Sequence, residues 1–440
     1  MKLTFPRFFA DYGMVFVLLL LCAFFSAKTY TEQSPTGEAA AKEVAAAILE
    51  DFKNAPRVLI VTSEQPGDAA FSKKLERDLL ASGVRILGVA KGEPKDAREA
   101  LQKIVTASEK LEAIACTQVT GGWLLFSDLK TSFPALGEPK VITPKTYRWP
   151  NFLKSDNLLN IANQIAVIAI VAIGMTLVII TGGIDLSVGS LLALSAVLAA
   201  KFIRDFAGGM TATPMGMLLA CVVSILLCGV VGLFSGLMIT RFAIPPFIVT
   251  LAMMLVGSGL AYIIAKGQSI YQISDSFVWL GRGADFFELP NAVVLMLILY
   301  ALAHILMSRM KQGRYLYAVG GNREAARLSG VPVQRVLMFA YIASALLAGL
   351  GGVIMASQLK SGSPTYGNMY ELYVIAAVVV GGTSLSGGEG KMFGTLTGAF
   401  TIAVIQNGMN LTDVESYTQK VVLGLVILGA VLLDRNRHRA

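Results

Sequence analysis

Charge is scarce in this 440-residue chain. Asp, Glu, Lys and Arg make up 15% of it and hydrophobic residues 55%, where soluble proteins average about 25% and about 45–50%. That composition argues against a soluble enzyme. Histidine is nearly missing: His304 and His438 are the only two, too few and too far apart in sequence for a metal site or a serine–histidine relay. The four cysteines, Cys22, Cys116, Cys221 and Cys228, form no disulfide framework. Three of them sit in apolar runs and read as small apolar fillers. A phosphate-cradling G-x4-G-K-[ST] loop is also lacking, so no nucleotide engine is expected in this chain. No catalytic residue, metal ligand or bound cofactor is expected either.

Positive charge is in excess, with a net +8. Nucleic-acid binding would need a basic face on a soluble domain, and the placement of the charges argues against it. Residues 27–150 hold half of all charges, 17 basic and 16 acidic, and are almost neutral. The remaining residues hold 20 basic and 13 acidic groups, so the excess lies in the apolar part. The pattern implies a polytopic α-helical membrane protein carrying a small α/β insert. The expected domains are a first transmembrane helix in 1–27, a soluble insert in 28–150 and a membrane core in 151–440.

Ten apolar segments are expected to span the membrane. The first, 12–26, follows Lys2 and Arg7 and is short for a span. A cleaved signal peptide is its rival reading, but no clean small-x-small site follows. The other runs are 158–180, 186–204, 215–239, 246–266, 291–309, 336–357, 371–382, 393–410 and 419–433. Some are shorter than the roughly 20 residues of a straight span, as happens where helices break around a pathway. Loop 309–335 carries Arg309, Lys311, Arg314, Arg323, Arg327 and Arg335 against the single acid Glu324, and the tail carries Arg435, Arg437 and Arg439. Basic loops stay cytoplasmic, which places the N-terminus inside and the insert outside. Arg148 and Lys154 run against this on the outer face, although long translocated domains are largely exempt from the rule.

The insert reads as alternating strand and helix. Buried-strand runs at 57–63, 84–90 and 111–117 enclose helices at 69–82 and 95–109, and an alanine-rich helix is expected at 38–54. This order implies a parallel three-layer sandwich. Ligands of such sheets collect at strand C-termini, which points to the loops 64–68 and 117–123.

Two motifs carry mechanism. In loop 309–335, Gly320-Gly321-Asn322 is expected to end an irregular stretch, with Asn322 capping a short helix over 323–329. Glu324 stands near its positive end, Ala325 and Ala326 give it a small side, and Gly330 and Pro332 stop it. An ordinary surface helix would look the same. The second motif is Gly182-Gly183-Ile184-Asp185-Leu186-Ser187-Val188-Gly189-Ser190. Its glycines hold a helix weakly, and Asp185 is one of very few acids in apolar sequence. A broken helix with Asp185 or Ser187 capping the next half would satisfy the freed backbone groups. Asp185 is then a cap holding the break or a direct contact to substrate.

These words resemble the ribose/monosaccharide branch of ABC importer permeases, related to the branched-chain amino-acid permeases. Glu324-Ala325-Ala326 with Gly330 looks like the family's EAA-x3-G loop. Pro246-Phe247-Ile248-Val249-Thr250-Leu251 and Gly381-Gly382-Thr383-Ser384-Leu385-Ser386-Gly387-Gly388 are similar too, over about residues 155–433. The resemblance implies a permease of the cell inner membrane that imports a ribose-like sugar, with Gly321, Asn322, Glu324, Ala325, Ala326 and Gly330 coupling it to cytoplasmic ATPase subunits. It further implies an extracytoplasmic sugar-binding protein, a second permease subunit and ATP used by the partners alone. Branched-chain amino acids or nucleosides are alternative cargoes, and an ion-coupled secondary transporter is the alternative class. Gly182, Gly183, Asp185, Ser187, Gly189, Glu371 and Asn407 form the candidate translocation core.

The echo GG-x-x-L-S-x-G at 182–189 and 381–388 reads as a shared local turn. Leu385-Ser386-Gly387-Gly388-Glu389 imitates an ABC ATPase signature but has no phosphate loop to serve. Where the resemblance leads to an acid two residues after Glu371, Tyr373 stands; it either alters substrate choice or, the favoured reading, packs. Asn407 and Asn410 read as pathway polar groups or, the favoured reading, as interhelical hydrogen-bonding groups. The insert departs from the family's short first connection. It weakly resembles one half of a periplasmic sugar-binding protein, and it reads as an appended domain for stability or docking, with a sensor or partial sugar-binding role as the alternative.

Overall fold

The computed structural model describes the backbone of residues 5–52 and 55–437, and the side chains of 13–52 and 55–432. Lys2, Arg7, Arg435, Arg437, His438 and Arg439 lie outside the described side chains. The chain separates into two compact units, Tyr30–Pro150 and the remainder.

Helix α1 (Phe5–Lys28) is longer than the 12–26 run because it extends through the polar residues at both ends. The unit that follows begins with β1 (Tyr30–Gln33), which pairs antiparallel with the unit's last strand. Then come α2 (Gly37–Asp51), β2 (Arg57–Thr62), α3 (Asp68–Ala81), β3 (Arg85–Lys91), α4 (Pro94–Thr106), β4 (Ala113–Cys116), β5 (Lys140–Ile142) and β6 (Tyr147–Pro150). Four strands form one parallel sheet in the order β3-β2-β4-β5. Side chains alternate along β2 as a pleated strand requires. Val58 and Ile60 pack with Phe71, Leu75 and Leu79 of α3 and Val44 and Ile48 of α2. Leu59 and Val61 pack on the other face with Leu101 and Ile104 of α4. This is the three-layer arrangement read from the sequence, but β1, β5 and β6 had no legible signal, being three or four residues long.

The two loops singled out as ligand sites spend their polar groups locally. Asp68 accepts from both the backbone N–H and the hydroxyl of Ser63, at 2.9 and 2.6 Å. Residues 118–121 are a short helical turn capped by Thr117, where a loop was expected, because Thr117 and Thr120 satisfy each other's backbone. The Arg57 guanidinium, 2.8 Å from Glu112, holds that carboxyl below its usual range. Burial pushes the Cys116 thiol up to about 12. Only the thiolate reacts, so Cys116 in the folded protein is expected to resist maleimide at neutral pH and to label in denaturant. Mass spectrometry of the labelled peptide checks this, and full labelling of the native protein would contradict it.

The second unit is helical: α5 (Ser155–Ile180), α6 (Val188–Phe206), α7 (Pro214–Arg241), α8 (Pro246–Ala265), α9 (Asn291–Arg309), α10 (Lys311–Gly321), α11 (Arg323–Leu328), α12 (Val333–Leu359), α13 (Tyr370–Val380), α14 (Met392–Leu411) and α15 (Ser416–Arg437). Five of them, α5, α7, α8, α9 and α12, are long and apolar enough to cross a membrane; shorter apolar stretches lie at 13–28, 370–380 and 416–432. Residues 165–180 of α5 and 188–200 of α6 are buried without a break, as expected of helices apolar all round. In contrast α7 and α8 expose Leu218, Leu219, Leu226, Val230, Leu255 and Ile263, an apolar surface a soluble monomer does not carry.

The abundance of glycine has a packing use. Gly229, Gly232 and Gly236 of α7 lie against Leu346, Ala345 and Met338 of α12, and Gly174 of α5 lies against Ser344. Small residues let membrane helices approach closely.

Candidate translocation core and coupling loop

Loop 309–335 is ordered almost throughout. The stretch expected to be irregular is helix α10, because Gly313 lets its first turn close on the carbonyls of Leu306 and Met307 while Leu316 and Val319 bury one face. Asn322 then extends the chain, and its side-chain oxygen accepts from the Ala325 N–H at 2.9 Å. Gly330 (φ +82°) ends α11: its N–H reaches the Arg327 carbonyl, and the Val331 N–H the Ala326 carbonyl, both at 3.0 Å. These two bonds make a Schellman stop. The small side expected of Ala325 and Ala326 splits, since consecutive helical residues diverge by about 100°: Ala326 is buried and Ala325 exposed. Glu324 pairs with Arg327 at 2.9 Å, and both are exposed. Leu328 is 82% exposed.

The glycine before this hairpin makes the closest contact. Gly320 lies so near the Ile180 carbonyl and the Gly388 N–H that any Cβ would overlap them. Gly388 itself donates to that Ile180 carbonyl at 2.8 Å, and the Tyr317 hydroxyl donates to the Gly390 carbonyl at 2.7 Å. The end of α10 is thus latched to the 384–390 turn and to the end of α5. Gly321, given the coupling role, has an empty Cβ position, and it is Gly320, read from the sequence only as part of the turn before Asn322, that makes the contact; adjacency in a Gly-Gly pair was the only available signal. The signature-like Gly387-Gly388 pair is half of this latch.

The helix break is a second Schellman stop. Beyond Ile180, Gly182 (φ +75°) donates to the Ile179 carbonyl and Gly183 to Val178, at 2.9 and 3.1 Å. After α13 the same pair recurs: Gly382 (φ +87°) donates to Val379 and Thr383 to Val378, at 2.8 and 3.1 Å. The sequence echo is therefore one turn type used twice, with its left-handed glycine shifted by one place between the copies.

Asp185 holds the segment between the helices. It is 2% exposed. One carboxylate oxygen accepts from the Ser187 N–H at 3.0 Å and the Ser187 hydroxyl at 2.6 Å; the other accepts from the Ser344 hydroxyl at 2.8 Å. Ser187 occupies the N-cap position of α6, but its hydroxyl bonds Asp185 and does not cap the helix. Ser344 lies 11 residues into α12, about 16 Å along its axis, so the break is anchored deep within the helical unit. Nearby the Tyr341 hydroxyl is buried with no hydrogen-bond partner among the described residues, and it excludes any side chain at Gly183.

Beyond the break, the chain doubles back. Gly362 packs on Ala196 and Ala200, and Gly367 on Gly189, so the segment after α12 runs antiparallel to α6 before α13 begins. A Cβ on Gly189 would strike the Glu371 carboxylate and the Gly367 carbonyl. A cavity of about 290 Å³ opens there, reached by Ser190, Ser258, Tyr262, Thr365, Asn368 and Glu371. The structure thus joins Gly189 to Glu371 and groups Gly182, Gly183, Asp185 and Ser187 at the break. Asn407 is elsewhere: its amide and that of Asn157 on α5 exchange hydrogen bonds at 2.9 and 3.1 Å. Asn410 accepts from Gln419, and the Tyr373 ring packs edge-on against Tyr370.

Residues 157–431 match the family described as branched-chain amino acid transport system, permease component. The chain belongs to this permease family. Among its relatives are the ribose import permease proteins of Bacillus subtilis and Escherichia coli. The first is 43% identical over 290 residues, covering 66% of this chain and 87% of the relative; the second is 41% identical over 293, covering 66% and 88%. The L-arabinose transport system permease protein of Escherichia coli is 37% identical over 291 residues, covering 66% and 86%. No solved structure matches the chain. The permease is therefore a multi-pass membrane protein and a transport component. The matched range holds all three Schellman stops, the Gly320 latch and the Glu371 cavity.

Proposed function

We propose that the chain is the membrane-spanning permease subunit of an ATP-driven importer for a monosaccharide, a ribose-like sugar. Among the described features, the capped and outward-exposed helix α11, joined through Gly320 to the helix break, supports this reading most directly. It presents a stiff surface for a cytoplasmic ATPase and a backbone contact through which that surface reaches the core. The relatives' sugar-import names support the cargo. The partners are two ATPase subunits, which bind and use the ATP, a second permease subunit and an extracytoplasmic sugar-binding protein. The chain itself binds no cofactor. It crosses the inner membrane ten times, with 309–335 inside and the 28–150 insert in the periplasm as an appended outer module. Closure of the ATPases moves α11 and switches the core between outward and inward access.

The experiment is uptake of labelled pentoses, hexoses and branched-chain amino acids by cells lacking their own importers and supplied with this importer. Sugar uptake that stops on ATP depletion supports the reading. Uptake that follows an ion gradient in the absence of the ATPase contradicts it. The Glu324–Arg327 pair is exposed and contributes little to folding, so Glu324→Ala should leave membrane levels intact. Loss of a coupling contact is expected to reduce ATP-driven uptake on the order of tenfold, read against ATP hydrolysis in the same vesicles. Unchanged uptake would remove α11 from the coupling path.

A further inference from the structure

We infer that the cavity bounded by the start of α6, the middle of α8 and residues 364–371 is a station for one neutral polyol, gripped by the Glu371 carboxylate. The inference rests on the importer reading and names where its cargo stops. At about 290 Å³ the space lies at the low end of small-molecule pockets, which begin near about 300 Å³. It suits a single sugar ring and is too small for a chain of them.

The lining has the chemistry of a polyol site. Ser190, Ser258, Tyr262, Thr365 and Asn368 offer hydroxyl and amide groups, and Glu371 is the one charged residue; no Lys, Arg or His lines the cavity. A carboxylate only accepts, and its two oxygens can take two neighbouring sugar hydroxyls. An anionic cargo, including the carboxylate of an amino acid, would meet the only local charge as a like charge. Met254, Leu255 and Pro364 supply an apolar wall for the carbon face of the ring. Glu371 makes no ion pair among the described residues, so its charge is not already spent.

Gly189 positions this group. Because a Cβ there would collide with the carboxylate, only glycine lets Glu371 lie against the start of α6. The carboxylate also sits in the first turn of α13, where the helix dipole favours an anion. Two helix starts and one acid therefore meet at the same small space.

The test uses the complete importer in membrane vesicles with labelled D-ribose and 2-deoxy-D-ribose as probes. The binding protein is common to all variants, so a change in the ratio of the two uptake rates reports on the permease. Hydrogen bonds to a charged group are worth about 1.5–3 kcal/mol. Glu371→Ala is therefore expected to slow ribose uptake by roughly tenfold or more and to shrink the ribose preference at least about threefold. Glu371→Gln, which keeps the shape, reads the same ratio if the alanine variant fails to reach the membrane, and Gly189→Ala should move it in the same direction. Variants that keep both the wild-type rate and the wild-type ratio overturn the inference alone. A wild-type importer that moves no sugar overturns the importer reading and this inference with it.

Discussion

Gly320→Ala is expected to cut ATP-driven uptake by at least about tenfold, while Gly321→Ala, one residue away, leaves it near wild type. The contrast is steric. A Cβ at 320 would occupy the position of the Ile180 carbonyl and crowd the Gly388 N–H, whereas at 321 it meets nothing within 4 Å. Neither obstacle can rotate aside, because both are backbone and are joined to each other at 2.8 Å. Overpacking of this kind costs about 1–3 kcal/mol, enough to shift a packed arrangement by a factor of about 5–160. Tyr317→Phe, which removes only the bond to the Gly390 carbonyl, should give a milder loss. Uptake and membrane abundance measured together check the pair, and equal activity of both alanine variants would remove the latch from the mechanism.

Asp185 gives the second large effect and separates its two readings. Asp185→Ala strands the Ser187 N–H, the Ser187 hydroxyl and the Ser344 hydroxyl in a buried site. Each lost partner costs about 1–3 kcal/mol, although Ser344 can recover part by bonding back to its own helix. Asp185→Asn keeps an oxygen for Ser187 and places an NH2 opposite the Ser344 oxygen. A residue that only holds the break should therefore tolerate Asn, with a thermal midpoint near wild type, and fail as Ala. Loss of transport in a stable Asp185→Asn protein would instead show that the charge is needed. The cavity is lined by Glu371 and not by Asp185, which favours the holding role.

Much of this was legible in the residues because it is local. Asn322 capping α11, Gly330 stopping it, and the breaks at Gly182 and Gly382 follow from backbone rules that act within four or five residues. The strands β2, β3 and β4 were legible from continuous apolar runs. What the sequence did not disclose depends on contacts between distant segments. Gly320 against Gly388, Asp185 against Ser344 and Gly189 against Glu371 each join residues 68 to 182 places apart, and nothing in a single sequence sets such a register. The interhelical bond expected of Asn407 has a partner, Asn157, that lies 250 residues away and could not be named from the sequence for the same reason. Helix α10 was missed because its glycines and charges imitate a loop, while its helicity depends on burial of Leu316 and Val319.

The carbonyl of Thr29 accepts from the N–H of Asn151 at 2.8 Å, and the Thr29 hydroxyl accepts from the N–H of Phe152 at 3.1 Å. Phe25 of α1 stacks on Phe152 with ring centres 6.2 Å apart. The chain therefore leaves the helical core and re-enters it at neighbouring atoms, and the intervening unit opens and closes on its own β1–β6 pair. In the language of graph connectivity, the unit is a loop whose two ends meet at one node of the helical core. The helical core keeps a closed seam at that point through Thr29, Asn151 and Phe152, so the local packing there does not depend on the length of the unit strung between them.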